Sequence, residues 1–354
     1  VRARELPIAL QGRPGPANAI TDVPGVQVGY VTLTEGAART GVTAILPRGR
    51  DGVGTPCAAG VYSLNGNGEM TGVTWIEESG ALTLPVAITN THAVGTVHRG
   101  VIDWVVAAHP ALGAEWLLPV VAETWDGYLN DINGPHVRPE HAGQAIESAA
   151  GGPVAEGNTG GGTGMNCYGF KGGSGTASRL VEHAADTYTV GAFVQANFGR
   201  RSELTVAGVH VGQDLLDDNP MEERARARAG AGSVIVVVAT DAPLLPGQCK
   251  ALARRVPMGL ARTGTTGSHF SGDIFLAFST ANEGALASGF AAGDDYETLR
   301  FVPWGRMDPF YTAVVEAVEE AVLNALTGAE ESVGRDGHRS PALPLDRLTE
   351  LLSR

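Results

Sequence analysis

Residues 233–243 read Ser-Val-Ile-Val-Val-Val-Ala-Thr-Asp-Ala-Pro, a β-branched run with no polar alternation before Thr240. Such a run is a strand buried on both faces, so the chain has to supply a packing layer on each side of it. What precedes it is opposite in character: residues 212–232, GQDLLDDNPMEERARARAGAG, are charge-dense, end in glycine and offer little to pack. Ser233 stands at that junction, directly after Gly232. The plain reading is a serine that starts a core strand after a polar loop. The other is a nucleophile made by cutting the chain in front of it. The Ser233 hydroxyl would attack the Gly232 carbonyl, water would open the resulting ester, and Ser233 would become a new N-terminus. An α-amine has a reference pKa of roughly 7.7–8.0, suited to taking the serine proton near neutral pH. One residue would then supply both nucleophile and base. Taken alone, the junction leaves both readings open.

Composition narrows the class. At 354 residues, 43% hydrophobic and 18% charged, the chain is long and apolar enough to bury a substantial core. Its 49 glycines follow no period and sit between apolar runs, which points to tight turns and close backbone approaches. A net charge of −13 disfavours nucleic acid and anionic membranes as partners. Cys57, Cys167 and Cys249 show no paired spacing, so neither a disulfide framework nor a zinc site is expected. The opening VRARELPIALQGRPG lacks a signal-peptide pattern, and no apolar run has the length of a membrane span. The expectation is a cytoplasmic protein without metal or cofactor.

Along the chain, strands are expected from Val26 and from Gly41, at 118–125, 188–197 and 204–211, and at 273–279. Residues 100–109 are apolar nearly all round and predict a buried helix, whereas 310–326 predict an amphipathic one. Further helices are expected over 141–150, from Pro243 to about Arg262, and over 345–352, with a mobile linker at 330–344. Strands grouped between helices, without strict alternation, indicate a layered α/β fold with mixed or antiparallel sheets. No internal repeat is present.

Several motifs fail in detail. In the tract 157–176, the spacing from Gly164 to Gly169 suggests a phosphate loop, but Phe170 precedes Lys171 and no hydroxyl residue follows it. The glycines there are better suited to lining a site or letting layers pack closely. The histidines His92, His98, His136, His141, His210 and His269 show no metal spacing. Two constellations near strand ends remain, each of which is also readable as a solvated turn. Ser271-Gly272-Asp273 offers a hydroxyl and a carboxylate, and Glu123 with Trp125 puts a carboxylate and an aromatic on one face, as an ammonium site would.

Seven segments taken together carry a resemblance: Asn18-Ala-Ile-Thr-Asp-Val-Pro-Gly-Val, Arg39-Thr-Gly-Val-Thr, Asn65-Gly-Asn-Gly-Glu, Pro119-Val-Val-Ala-Glu-Thr, 152–165, Val194-Gln-Ala-Asn and 233–245. In that order they resemble the P1 family of self-processing aminopeptidases, the L-aminopeptidase D-Ala-esterase/amidases and β-peptidyl aminopeptidases. The resemblance reverses the plain reading of Ser233. It implies a four-layer αββα sandwich similar to N-terminal nucleophile hydrolases, with different connectivity. It implies one domain, 1–354, self-cleaved between Gly232 and Ser233 into an α chain of 1–232 and a β chain of 233–354. Under it Ser233 is the nucleophile, Asn197 donates to the oxyanion, and Ser271 and Asp273 tune the freed amine. Glu123 grips the substrate ammonium, with Trp125 lining the pocket. Relatives often carry tyrosine where Trp125 stands, and some carry glutamate at the position of Asp273. The substrates implied are short peptides, amides or esters with a free amine, the partner a second copy in a homo-oligomer, a tetramer by resemblance. Two other readings remain to be weighed. An acyltransferase of the ornithine acetyltransferase type would use threonine as nucleophile, and a non-enzymatic binding protein would stay uncut.

Overall fold

The structure, a computed structural model, describes residues 1–227 and 231–353. Residues 228–230, part of the polar stretch expected ahead of Ser233, lie outside the described residues. In chain order the strands are β1 (Gln27–Leu33), β2 (Thr40–Leu46), β3 (Cys57–Gly66), β4 (Ala81–Leu82), β5 (Val86–Asn90), β6 (Val120–Thr124) and β7 (Asn166–Cys167). They continue as β8 (Phe170–Lys171), β9 (Gly173–His183), β10 (Asp186–Asn197), β11 (Gly232–Thr240), β12 (Ser271–Ser279), β13 (Ser332–Val333) and β14 (Arg339–Ser340). The helices are α1 (Val73–Ser79), α2 (Val94–Ala108), α3 (Pro139–Glu147), α4 (Glu222–Ala227), α5 (Pro246–Ala253), α6 (Val256–Arg262), α7 (Asp308–Thr327) and α8 (Leu345–Leu352).

Two sheets stack face to face. One has the order β1-β2-β5-β6, the other β4-β3-β12-β11-β10-β9. The period-2 alternation of β11 shows how they pack. Ile235, Val237 and Ala239 meet Ile45, Ile88 and Ala122 of the first sheet, together with Leu276 and Phe278 of β12. Val234, Val236 and Val238 face the other way, into a core with Leu252, Val314 and Val318 of the helices. Across the first sheet, Val97, Val101 and Val105 of α2 and Ala142, Ala145 and Ile146 of α3 pack on Val42, Ala44 and Val121. The layers therefore run α2–α3, four-stranded sheet, six-stranded sheet, α5–α6–α7, which is the αββα sandwich expected.

The glycines serve this layering. A methyl group at Gly175 of β9 would lie 2.0 Å from the Ala321 carbonyl of α7. Gly160 has φ +56°, and its Cβ would meet Tyr30 at 2.3 Å. Both positions let layers approach more closely than any side chain would permit.

Several expectations are corrected. Helix α2 begins earlier, at Val94, and buries one stripe, Val97, Gly100, Val101 and Val105, while Val106 is exposed. Helix α7 is the more buried of the two: Glu320 and Asn324 on its polar side are covered by the N-terminal segment. Residues 204–211 form no strand; Ala207 and Gly208 both have positive φ in a tight turn closed by the bridge Val206–Val209. The helix from Pro243 starts at Pro246 and breaks at residues 254–255, since Pro257 cannot continue α5 and sits in the first turn of α6. Residues 330–344 are not a linker: β13 and β14 pair, and Gly334 and Arg335 pack on Leu129. Within the polar stretch, the carbonyls of Leu215 and Asp217 accept from Arg201, so its first half is anchored.

Candidate active site

Ser233 lies at the start of β11, paired with Asn197 at the end of β10 on one side and with Gly272 of β12 on the other. Strand alternation points its side chain the same way as Ile235, toward the facing sheet. There β6 ends, and the Trp125 amide donates to Ser233 Oγ at 3.0 Å. Asn197 Nδ2 donates to the same oxygen at 3.1 Å and to the Trp125 carbonyl at 2.9 Å. The Asn166 amide donates to Asn197 Oδ1 at 3.0 Å, so the Asn197 carboxamide has one orientation. Ser233 is 2% exposed, yet it borders a cavity of about 760 Å³ between the ends of the two sheets.

Glu123 lines this cavity two residues before Trp125 and is 2% exposed. The Glu69 amide donates to its Oε1 at 2.8 Å, and Thr91 Oγ1 donates to its Oε2. Burial raises its pKa, and these two hydrogen bonds pull the other way. No Lys or Arg forms an ion pair with it among the described residues. A desolvated carboxylate that faces a cavity and makes no ion pair within the described residues is a site for a cation that arrives with the ligand. Gly68 keeps the approach open, since its Cβ would come within 3.1 Å of Glu123 Oε1. The Trp125 ring rests over Gly127, whose Cβ would be 2.4 Å from it.

Ser271 and Asp273 do not line the cavity. Ser271 Oγ donates to Asp273 Oδ1 at 2.6 Å, and Asn65 Nδ2 donates to Oδ2 at 3.1 Å. The Val234 amide also bonds this carboxylate, and burial raises its pKa. Ser271 is in register with Gly232, and a methyl on Gly232 would be 3.2 Å from Ser271 Oγ. The pair therefore sits beside the Gly232–Ser233 peptide unit rather than at the hydroxyl. A β-bulge between Asp273 and Ile274 helps to place it there.

Behind Trp125, burial raises the Asp126 carboxyl to about 7, against hydrogen bonds from Thr40 and Asn130. Lys171 is buried with its Nζ on the carbonyls of Gly162, Met165 and Gly172, and burial lowers it to about 7. Its Nζ is used up in holding the glycine tract together, away from the cavity at Ser233, which leaves nothing of the phosphate-loop reading. Among the described residues no cluster of His, Cys, Asp and Glu could hold a metal ion. Nor is any helix among the described residues long and apolar enough to cross a membrane.

The cavity thus joins Ser233, Asn197, Glu123 and Trp125, and leaves Ser271 and Asp273 just behind. The sequence reading missed the backbone donors at Trp125 and Glu69, and the partners Thr91 and Asn65. The segment Asn65-Gly-Asn-Gly-Glu was legible as a match, but its role was hidden because it acts partly through an amide. Arg200 and Arg201, also on the cavity wall, carried no sequence signal.

The family model of peptidase family S58 matches residues 18–340. A β-peptidyl aminopeptidase, BapA, of Sphingosinicella microcystinivorans is 48% identical, over 100% of this chain and 92% of that protein. The BapA of Sphingosinicella xenopeptidilytica is 42% identical, over 99% and 90%. The solved L-aminopeptidase D-Ala-esterase/amidase of Ochrobactrum anthropi, described as a new variant among the Ntn hydrolase fold, superposes with a TM-score of 0.93. It is 46% identical and covers 99% of this chain and 98% of its own. A Burkholderia β-aminopeptidase gives 0.92 at 46% identity, over 100% and 98%.

Proposed function

Because the chain belongs to peptidase family S58 and is a serine aminopeptidase of that family, we propose that Ser233 is its nucleophile, freed by self-cleavage after Gly232. One observation carries this reading: Ser233 Oγ is held between the Trp125 amide and Asn197 Nδ2 on the same cavity as the unpaired carboxylate of Glu123.

In the cleavage step Ser233 Oγ bonds to the Gly232 carbonyl carbon, the C–N bond to Ser233 breaks, and the nitrogen leaves as an amine. Water then opens the ester and releases Gly232 as a carboxylate. The chain becomes 1–232 and 233–354. In turnover the Ser233 amine takes the hydroxyl proton as Oγ attacks the substrate carbonyl. Asn197 Nδ2 and the Trp125 amide, both already on Oγ, are the donors nearest the developing oxyanion, where a fixed donor is worth about 3 kcal/mol. The amine then returns the proton to the leaving group, and water releases the acyl group. Ser271 and Asp273 flank the amine and hold its ammonium form. Glu123 binds the substrate ammonium and sets the acyl carbon at Oγ, with Trp125 as the adjoining wall.

The substrates are short peptides, amides and esters with a free amine, which fits relatives named for β-peptidyl and L-amino acid substrates. Those names favour neither an acyltransferase nor a non-enzymatic role. The working enzyme is taken to be a cytoplasmic homo-oligomer, a tetramer by family resemblance, and cell fractionation and gel filtration check this part. Hydrolysis of an aminoacyl p-nitroanilide, compared with its N-acetyl counterpart, tests the reading as a whole. The free amine should be cleaved and the acetylated compound spared; equal rates would remove Glu123 from its role.

A further inference from the structure

The cavity has a charge polarity that the reaction described above leaves unused. The sheet that ends in β6 contributes Glu123, while the chain leaving the opposite sheet after β10 contributes Arg200 and Arg201. Ser233 Oγ lies between, bonded to Trp125 two residues beyond Glu123 and to Asn197 three residues before Arg200. Arg201 is 4% exposed; its terminal nitrogens reach only backbone carbonyls, those of Gly169, Leu215, Asp217 and Asp218. Among the described residues its Nε is buried without a hydrogen-bond partner, as are Asn219 Oδ1 and Asn166 Oδ1 on the same wall. Arg200 Nε lies 3.3 Å from Glu203 Oε1, whose other oxygen accepts from the Arg200 amide at 2.9 Å. Its two terminal nitrogens have no partner among the described residues. Arg200 therefore carries the wall's available donors, while nearby Asp218 partly offsets the charge of Arg201.

We propose that this wall is a subsite for the C-terminal carboxylate of the substrate, so that the enzyme reads short peptides at both ends. The inference rests on the assignment of Glu123 and Ser233 above. An extended dipeptide or tripeptide spans roughly 7–10 Å, and Glu123, Ser233 and Arg200 line one cavity of about 760 Å³. Arg200 makes the contact through its free nitrogens. Arg201 offers, through its buried Nε, a donor for a water or a carboxylate oxygen. Longer chains place their carboxylate beyond this wall, so the subsite selects for length as well as for charge.

The test uses the purified full chain and a matched pair of substrates, an aminoacyl-alanine with a free carboxylate and the same compound as its C-terminal amide. Wild type should favour the acid about fivefold in kcat/KM, mostly through KM, the scale of a partly exposed ion pair. The preference should shrink as salt is raised from about 50 to 500 mM. Arg200→Gln should bring the ratio close to one, and Arg200→Lys should keep most of it. Turnover of an aminoacyl p-nitroanilide by wild type separates the two levels. An enzyme that cleaves the anilide but shows an acid-to-amide ratio of one, or a ratio that Arg200→Gln leaves unchanged, overturns the subsite alone. An enzyme inactive on all three substrates overturns the assignment of Ser233 and Glu123, and the subsite with it.

Discussion

Replacing Glu123 by glutamine removes a charge and little else. The carboxamide keeps the shape, its oxygen can still accept from the Glu69 amide at the position now 2.8 Å away, and its NH₂ can donate to Thr91 Oγ1. What is lost is attraction for an ammonium group. At 2% exposure the side chain is poorly screened, and burial already makes its ionised form costly, as its raised pKa records. An incoming ammonium relieves that cost. Truncating one partner of such a desolvated pair typically loses about 2–5 kcal/mol. Because the cavity opens to water on one side and two hydrogen bonds persist, the lower part of that range applies. A loss of about 2–4 kcal/mol corresponds to roughly a 30- to 1000-fold fall in kcat/KM. The assay is steady-state hydrolysis of an aminoacyl p-nitroanilide beside its des-amino analogue, for wild type and Glu123→Gln. The variant should still self-cleave, since no ammonium takes part in that step, and should lose the preference for the amine. Unchanged kinetics would refute the assignment. The raised pKa adds a sign: the ionised form binds, so ammonium recognition should fail on the acid side at a higher pH than an ordinary carboxylate would give.

Asp273→Asn removes the negative charge beside the proposed amine, which lowers the pKa of the ammonium. The free base then persists to lower pH, so the acid limb of kcat/KM should move to lower pH while kcat falls; an unmoved limb would assign the base elsewhere. Glu320→Gln tests the buried ion cluster under α7. Glu320 is fully buried, with Arg179 Nη2 at 2.7 Å, Arg4 Nε at 2.9 Å and Asn18 Nδ2 at 2.5 Å. Neutralising it leaves Arg179 mostly uncompensated and should cost about 3 kcal/mol in urea unfolding. A change below about 0.5 kcal/mol would mean that Glu316, 3.4 Å from Arg179, suffices alone.

How far the sequence could be read followed from what each segment packs against. The run at 234–239 announced a doubly covered strand because each of its residues faces one core or the other, and it is one. Helices α2 and α7 were interchanged in character for the opposite reason. Val106 looks like core but stays exposed on the outer side of α2, and Glu320 looks like surface but is covered by Arg4 from more than 300 residues away. Such long-range covering leaves no local periodicity. The tight turn at Ala207–Gly208 was likewise masked by β-branched neighbours that resemble a strand. At the site, Ser233 stood out at its junction and Glu123 with Trp125 at a strand end, the resemblance added Asn197 and gave each a role, and the four meet on one cavity. The backbone donors that position them, at Trp125 and Glu69, have no residue identity to read. Arg200 and Arg201 escaped because nothing in a Gly-Arg-Arg turn after a strand indicates that it faces a cavity.

The intact mass of the purified protein and of its Ser233→Ala variant bears most directly on Ser233 as a self-made nucleophile. Wild type should give two fragments, 1–232 and 233–354, whose activity appears with cleavage, and Ser233→Ala should remain a single inactive chain of 36.5 kDa. A wild type fully active as one uncut chain, or the same two fragments from Ser233→Ala, would contradict it.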